Sequence, residues 1–304
     1  MREIRIPAFA KVNLRLDILG KRPDAYHELR TIFQTISLHD ELKLRASKAS
    51  GICLNIQGNE SLSLEPIRKN LVYAAVDMLR GELQIRSGVE IDLRKKIPAG
   101  RGLGGGSSDA AAALRGYLRL IRRDIPTPKL MEIAASLGAD VPFFLFGGRA
   151  LGVGRGDEIY PLPDVPKLTL LVVSPKDIHV PTPDAYRWLK APTLTKARSA
   201  SKLWKFCSLC WSSPAAAGAQ GSGLYNDFER PVFQRHPQLA KIKRVLLQRG
   251  ATEASLAGSG SAVFGVFPSP ALARRAAVGF QDEQTFVCET ISRDRYLRKV
   301  QSAP

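Results

Sequence analysis

Two glycine-rich stretches and a lysine–aspartate pair hold the residue types that could do chemistry in this chain. From Ile97 to Tyr117 the sequence reads IPAGRGLGGGSSDAAAALRGY, with five glycines in the seven positions Gly100 to Gly106. Glycines strip side chains from a loop, so its backbone N–H groups can approach an anion closely. An Ala-rich helix starting there adds orphan N–H donors and the positive end of a dipole, which together suit a phosphate. Ser107 and Ser108 close the loop with hydroxyls that can reach a phosphate or a metal ion. Lys11 interrupts an apolar run between Ala10 and Val12, either as an edge-strand amine in solvent or as a cation aimed into a site. Asn13 points the same way on a strand, where side chains repeat every second residue. Asp140 sits among Ala139, Val141, Pro142, Phe143 and Phe144. An unpaired carboxylate is costly there, and a helix N-cap is one structural way to satisfy it. GSGS at Gly258–Ser261 joins two apolar segments, as a plain hairpin turn also would.

Several nucleotide-binding patterns can be set aside. Gly100, Gly102 and Gly105 fit G-x-G-x-x-G, but a dinucleotide fold also needs an acidic residue about 20 positions on, at a strand end. Asp124 has that spacing and instead ends LRLIRRD, a basic helical stretch. No Gly-Lys-Ser/Thr closes the loop as in a Walker A motif, and the companion motifs of protein kinases are missing. The remaining alternative is a tight turn before a helix.

The elements that must position these residues can be read from periodicity. Val89, Ile91 and Leu93 alternate with polar residues, predicting a strand before the loop. Leu114, Tyr117, Leu118 and Ile121 predict the helix after it, with Ser107, Ser108 and Asp109 as its N-cap and first-turn residues. At the start, Ile4, Ile6 and Phe9 and then Val12, Leu14, Leu16 and Ile18 predict a strand, a turn at Gly20–Asp24, and a strand over LRTIFQTISL. Asp40-Glu41 opens a further strand, with CLNIQG as its partner. NLVYAAVDMLRGEL predicts a helix from Asn70, and a second helix ends at Gly138. After a hairpin and a linker at 161–166, the order strand, helix, strand, strand, helix, strand suggests a ferredoxin-like second domain. Residues 191–223 are rich in Ser, Ala and Gly and read as an inserted loop. Their lone Cys207-x-x-Cys210 has too few partners for zinc.

PAGRGLGGGSSDAAA closely resembles the phosphate loop of the GHMP small-molecule kinases. PAFAKVNLRLDILGKRPDAYHEL (Pro7–Leu29) and LAGSGSAVFGVF (Leu256–Phe267) resemble the family's first and third motifs, in the expected order. With NLVYAA and GADVPFF, the first stretch resembles the branch that acts on diphosphocytidyl methylerythritol, in the methylerythritol phosphate route to isoprenoids. The resemblance covers most of the chain and fails over about 191–223. It implies an α+β chain of two domains, 1–163 like domain 2 of ribosomal protein S5 and 164–304 ferredoxin-like, with the site in the cleft between them. It implies ATP and Mg²⁺ as cofactors, and Asp140 and Lys11 as catalytic residues. Pro98, Ala99, Gly100, Gly102, Leu103, Gly104, Gly105, Gly106, Ser107 and Ser108 would hold the phosphates, and Asn70 and Leu71 would lie near the adenine. Asn13, Thr182, Tyr186, Gly258 and Ser259 would face the acceptor, with Tyr26 and His27 against its cytosine. Ser107 or Ser108 is the candidate Mg²⁺ contact, and no acidic metal ligand can be placed. Within the family, homoserine- and mevalonate-type kinases are the alternatives. From another class, the alternative is a basic RNA-binding protein on an S5-like fold.

Bulk properties fit an enzyme of ordinary composition. The 304 residues are 44% hydrophobic and 24% charged, enough for one large or two ordinary domains at roughly 150 residues each. No apolar run approaches the ~18 residues of a membrane span, and the N-terminus lacks an apolar signal-peptide region. Four cysteines give no disulfide framework. A cytoplasmic protein, monomeric or weakly dimeric, with a small cytidine diphosphate substrate and no nucleic-acid or membrane partner, is expected. The net charge of +17 is scattered in small clusters such as Arg94–Lys96 and reads as a solvated basic surface.

Overall fold

The computed structural model describes residues 2–58, 66–193 and 223–301. Nearly all of the 191–223 stretch, including Cys207 and Cys210, lies outside the described residues. Two sheets organise the rest. The first has seven strands: β1 (Glu3–Lys21), β2 (His27–Ser47), β3 (Ile52–Gln57), β4 (Gly88–Arg94), β5 (Arg149–Gly154), β6 (Glu158–Pro161) and β8 (Tyr225–Asn226). Its order is β3-β4-β2-β1-β8, with β5 on β2 and β6 on β5. The second sheet has β7 (Thr169–Ser174), β9 (Glu253–Leu256), β10 (Val263–Phe267) and β11 (Gln284–Glu289), in the order β11-β7-β10-β9, every pair antiparallel.

Helices α1 (Leu71–Glu82), α2 (Gly105–Ile121), α3 (Thr127–Leu137) and α4 (Val141–Phe146) belong with the first sheet. Their apolar stripes meet the alternate residues of the strands: Val76, Leu114 and Phe144 share one core with Ile6, Leu44 and Ile91. Each such side chain, fully buried, contributes roughly 1.5–3 kcal/mol. Helices α5 (Thr182–Leu189), α6 (Glu229–Arg235), α7 (Pro237–Gln248) and α8 (Pro270–Ala277) belong with the second sheet. A third cluster joins the two units: Ala10 and Val12 of β1 and Ile36 of β2 pack with Leu103, Leu170, Val172 and Phe264. The last helix, α9 (Arg293–Gln301), turns back to the first unit, where Tyr296 and Val300 enter the first core.

Several elements differ from expectation. Asp40-Glu41 does not open a new strand; it lies within the continuous β2. That strand changes partner along its length instead, taking β5 over Leu29–Gln34 and β4 over Glu41–Ser47. CLNIQG pairs with β4, in parallel, and not with β2. The first helix after the glycine loop starts at Gly105, with Gly104 as its N-cap, so Ser107, Ser108 and Asp109 already lie inside it.

Candidate active site

The glycine loop turns on left-handed backbone at Gly100, Gly102 and Gly104 (φ +66°, +80° and +72°). A Cβ on Gly102 would come within 1.8 Å of the Ala257 carbonyl oxygen, so only glycine lets the two glycine-rich loops meet there. The first bond of α2 runs from the Ser108 N–H to the Gly104 carbonyl (2.9 Å). The N–H groups of Gly105, Gly106 and Ser107 precede it and have no partner within the helix. That of Ser108 is spent, which removes it from the expected phosphate cradle. The loop is fastened to β1 by a bond from the Lys11 N–H to the Leu103 carbonyl (2.9 Å). The β1–β2 register shifts on both sides of Lys11 and Asn13, between Phe9 and Lys11 and again between Asn13 and Arg15. Such irregularities re-aim side chains.

The re-aimed Lys11 is buried, and its Nζ donates to Asn13 Oδ1 (2.7 Å) and pairs with Asp140 Oδ2 (3.2 Å). Asn13 is held in turn by a bond from its Nδ2 to Thr31 Oγ1 (2.6 Å). Asp140 occupies the N-cap position of α4, but its side chain makes no capping bond. Its side chain keeps 34% of its surface exposed, against 5% for Lys11. The carboxylate therefore faces an open space with one oxygen on a buried cation.

That space is a cavity of about 1110 Å³ walled by both units. Pockets for one small ligand run from about 300 to 1,000 Å³, so this one exceeds the single-ligand range. Every residue expected at a site lines it except Ser108, which is 2% exposed and buried behind Ser107 with no partner for its hydroxyl. Asn70 lines the cavity and also caps α1, accepting the Val72 N–H (2.9 Å). At the other end the His27 ring stacks on Tyr186 (4.7 Å, 29°), whose ring meets Phe228 edge-on. Burial, and then the nearby Lys21, holds the His27 imidazole below its ordinary value, which favours its neutral form. Tyr26 is 55% exposed, and the Arg155 guanidinium lies 4.9 Å from its ring.

The second glycine turn closes the cavity from the other unit. Gly258 (φ +56°) stands so close that a Cβ would lie 3.4 Å from Lys11 Nζ. Asn226 holds this turn, donating to the Leu256 and Gly258 carbonyls (2.9 and 2.7 Å). Ser259 and Thr182 are joined through their hydroxyls (3.0 Å). Periodicity gave no sign of Asn226, nor of a buried trio beneath the loop. Lys95 Nζ binds both Asp40 and Asp109 there (2.6 Å to Asp109). In the sequence Lys95 sits in a small basic cluster and Asp109 at a predicted helix start. The only signal for the trio was three charges flanking apolar runs. Burial pushes Asp109 up to about 8, against the pull of Lys95.

Family models for the N-terminal and C-terminal domains of GHMP kinases match residues 70–148 and 207–283. A protein of Solibacter usitatus named 4-diphosphocytidyl-2-C-methyl-D-erythritol kinase is 45% identical over 97% of this chain and 91% of its own. The chain belongs to the GHMP kinase family. Among solved structures, a 4-(cytidine 5'-diphospho)-2C-methyl-D-erythritol kinase superposes with a TM-score of 0.76 at 33% identity, over 94% of this chain and 99% of that one. The homoserine kinase of Cytophaga hutchinsonii reaches 0.73 at 20% identity, over 96% and 95%, which shows a shared fold alone. As a GHMP kinase the chain is an ATP-dependent enzyme of two mixed helix-and-sheet domains. Among the described residues, no helix is long and apolar enough to cross a membrane.

Proposed function

We propose that this GHMP kinase transfers the γ-phosphoryl group of ATP to the 2-hydroxyl of 4-diphosphocytidyl-2-C-methyl-D-erythritol. The observation that carries the reading is one cavity that joins a glycine loop with free N–H groups, a Lys11–Asp140 pair, and an aromatic end of His27, Tyr186 and Tyr26. The 45% identity to the Solibacter usitatus kinase supports the same acceptor. Homoserine has no ring to stack, so the aromatic end suits a nucleobase and is unneeded by an amino-acid acceptor.

In this reading the N–H groups of Gly105, Gly106 and Ser107 cradle the β- and γ-phosphates, and Asn70 and Leu71 border the adenine. Tyr26 stacks on the cytosine, and neutral His27 can both donate to its edge and accept from it. Thr182, Tyr186, Gly258 and Ser259 hold the rest of the acceptor. The transition state of phosphoryl transfer is loose, so positioning and charge neutralisation dominate. The acceptor oxygen attacks the γ-phosphorus, ADP leaves, and the hydroxyl proton passes late to Asp140. Lys11 and Asn13 keep Asp140 in place, and Lys11 offsets charge on the transferring group.

Among the described residues no three His, Cys, Asp or Glu side chains cluster to hold a metal. That fits Mg²⁺, which keeps several waters and takes phosphate oxygens with few protein ligands. Ser107, on the cavity wall, is the hydroxyl that would meet it, and Ser108 is too deep. Bound there, Mg²⁺ would neutralise phosphate charge. The finer fold reading follows: 1–163 as an S5 domain 2-like unit and 164–304 as a ferredoxin-like unit, supported by the order β11-β7-β10-β9, with α9 returned to the first. The test is incubation with ATP, Mg²⁺ and the acceptor. Phosphorus–carbon coupling in the carbon spectrum should show a new phosphate ester on carbon 2, and an ester elsewhere or none would refute the assignment.

A further inference from the structure

Arg101 is the one long side chain inside the Gly100–Gly106 run, and it is half-buried on the cavity wall. Its Nη1 donates to Ser261 Oγ (2.8 Å) and its Nη2 to the Lys176 carbonyl (2.9 Å), both in the second unit. Ser261 is fully buried and its hydroxyl donates to the Ile178 carbonyl (2.6 Å). The Arg101 carbonyl accepts the Ala262 N–H (3.2 Å). Around it the contact is backbone on backbone: a Cβ on Gly260 would lie 2.2 Å from the Arg101 carbonyl carbon, and one on Gly100 2.4 Å from the His179 ring. The segment so gripped, Lys176 to Val180, leads directly into Thr182, which is bonded to Ser259.

We propose that Arg101 is a positioning residue that pins the phosphate loop of the first unit to the two acceptor-side loops of the second, at 176–182 and 258–261. Because each terminal nitrogen of its guanidinium donates to the second unit from a place on the cavity wall, it sets the distance between the two ligands. A bidentate guanidinium does this in a way lysine cannot, since an ammonium is a point charge without the planar fork. Displacements of about 1 Å between reacting groups can cost on the order of 10²-fold in rate. The pin therefore acts on turnover more than on the binding of either ligand. This role in catalysis rests on the proposed transfer, but the pin itself can be read without it.

The experiment compares Arg101→Met, Arg101→Lys, Ser261→Ala and the Arg101→Met/Ser261→Ala pair with the parent. Amide hydrogen exchange is followed in the unliganded proteins, beside kcat and the ATP Kd. Arg101→Met should speed exchange in both the 100–106 and 176–182 segments and leave the remote core unchanged. Its kcat should fall about 10- to 10²-fold, with the ATP Kd altered less than about threefold. Adding Ser261→Ala should then lower kcat little further, because both changes break one linkage. Arg101→Lys, which keeps charge and one contact, should fall between, and it carries the test if the methionine variant does not fold. Unchanged exchange in either segment, unchanged kcat in an active enzyme, or a loss confined to ATP affinity would overturn the pin. If the parent phosphorylates no such acceptor while exchange responds as expected, the pin stands and the proposed function falls.

Discussion

Lys11 and Asp140 stand 3.2 Å apart, the lysine buried and the carboxylate open to the cavity. Lys11 in an apolar strand was ambiguous as sequence, because periodicity cannot tell an edge amine from a buried one. What decides between them is the pair of register shifts that bring its Nζ to Asn13 and Asp140. Asp140 was legible as a carboxylate in the wrong company, though its N-cap position would also have explained it. Asp140→Asn keeps size but cannot take the acceptor proton, so kcat should fall roughly 10²–10⁴-fold. ATP affinity, resting on the glycine loop, should hardly change. Steady-state kinetics with a separate nucleotide titration check this, and near-normal turnover would contradict a catalytic role.

Elements were most legible where one sequence feature forces them. The run from Gly100 to Gly106 announces a loop, and the Ala-rich stretch after it a helix. Ser and Asp are good caps and predict a later start for α2, yet glycine in a left-handed turn caps here. The Asp40–Lys95–Asp109 trio was illegible because its members come from three separate elements, and only the tertiary fold shows them sharing one site. The loop itself can be tested without disturbing the fold. A side chain on Gly104 would strike Phe144 and Lys11, and one on Gly260 the Arg101 backbone, so either variant would confuse binding with folding. Gly106 is different: a Cβ there meets only Leu71 Cδ1, at an ordinary 3.8 Å. Gly106→Leu should keep or raise stability, since helical glycine costs about 0.5–1 kcal/mol. It should weaken ATP about 10- to 10²-fold, the loss of one charged hydrogen bond at about 1.5–3 kcal/mol. Adenosine, with no phosphates to lose, should bind nearly as before. Calorimetry with both ligands decides, and equal weakening of the two would remove the phosphate cradle.

At the scale of the molecule, strand and helix order revealed two units, but not that the chain crosses back between them. Periodicity is local, whereas α9 packs on the first core from the far end of the sequence. Tyr296 shows how tightly: its hydroxyl donates to the Phe144 carbonyl, and its ring lies against Gly147. It thus braces α4, whose N-cap residue is Asp140. Tyr296→Ala should cost about 3–5 kcal/mol, as for other large buried aromatics. Urea unfolding would measure it, and a change below about 1 kcal/mol would show that α9 is dispensable. The proposed transfer requires two ligands to meet in the cavity that both units wall. The most direct measurement is ADP release with the diphosphocytidyl acceptor, homoserine and mevalonate compared as kcat/KM. A site built to hydrogen-bond and stack a base should favour the cytidine compound by about 10⁴-fold or more. Equal or better turnover of homoserine or mevalonate, or ADP release independent of any acceptor, would contradict it.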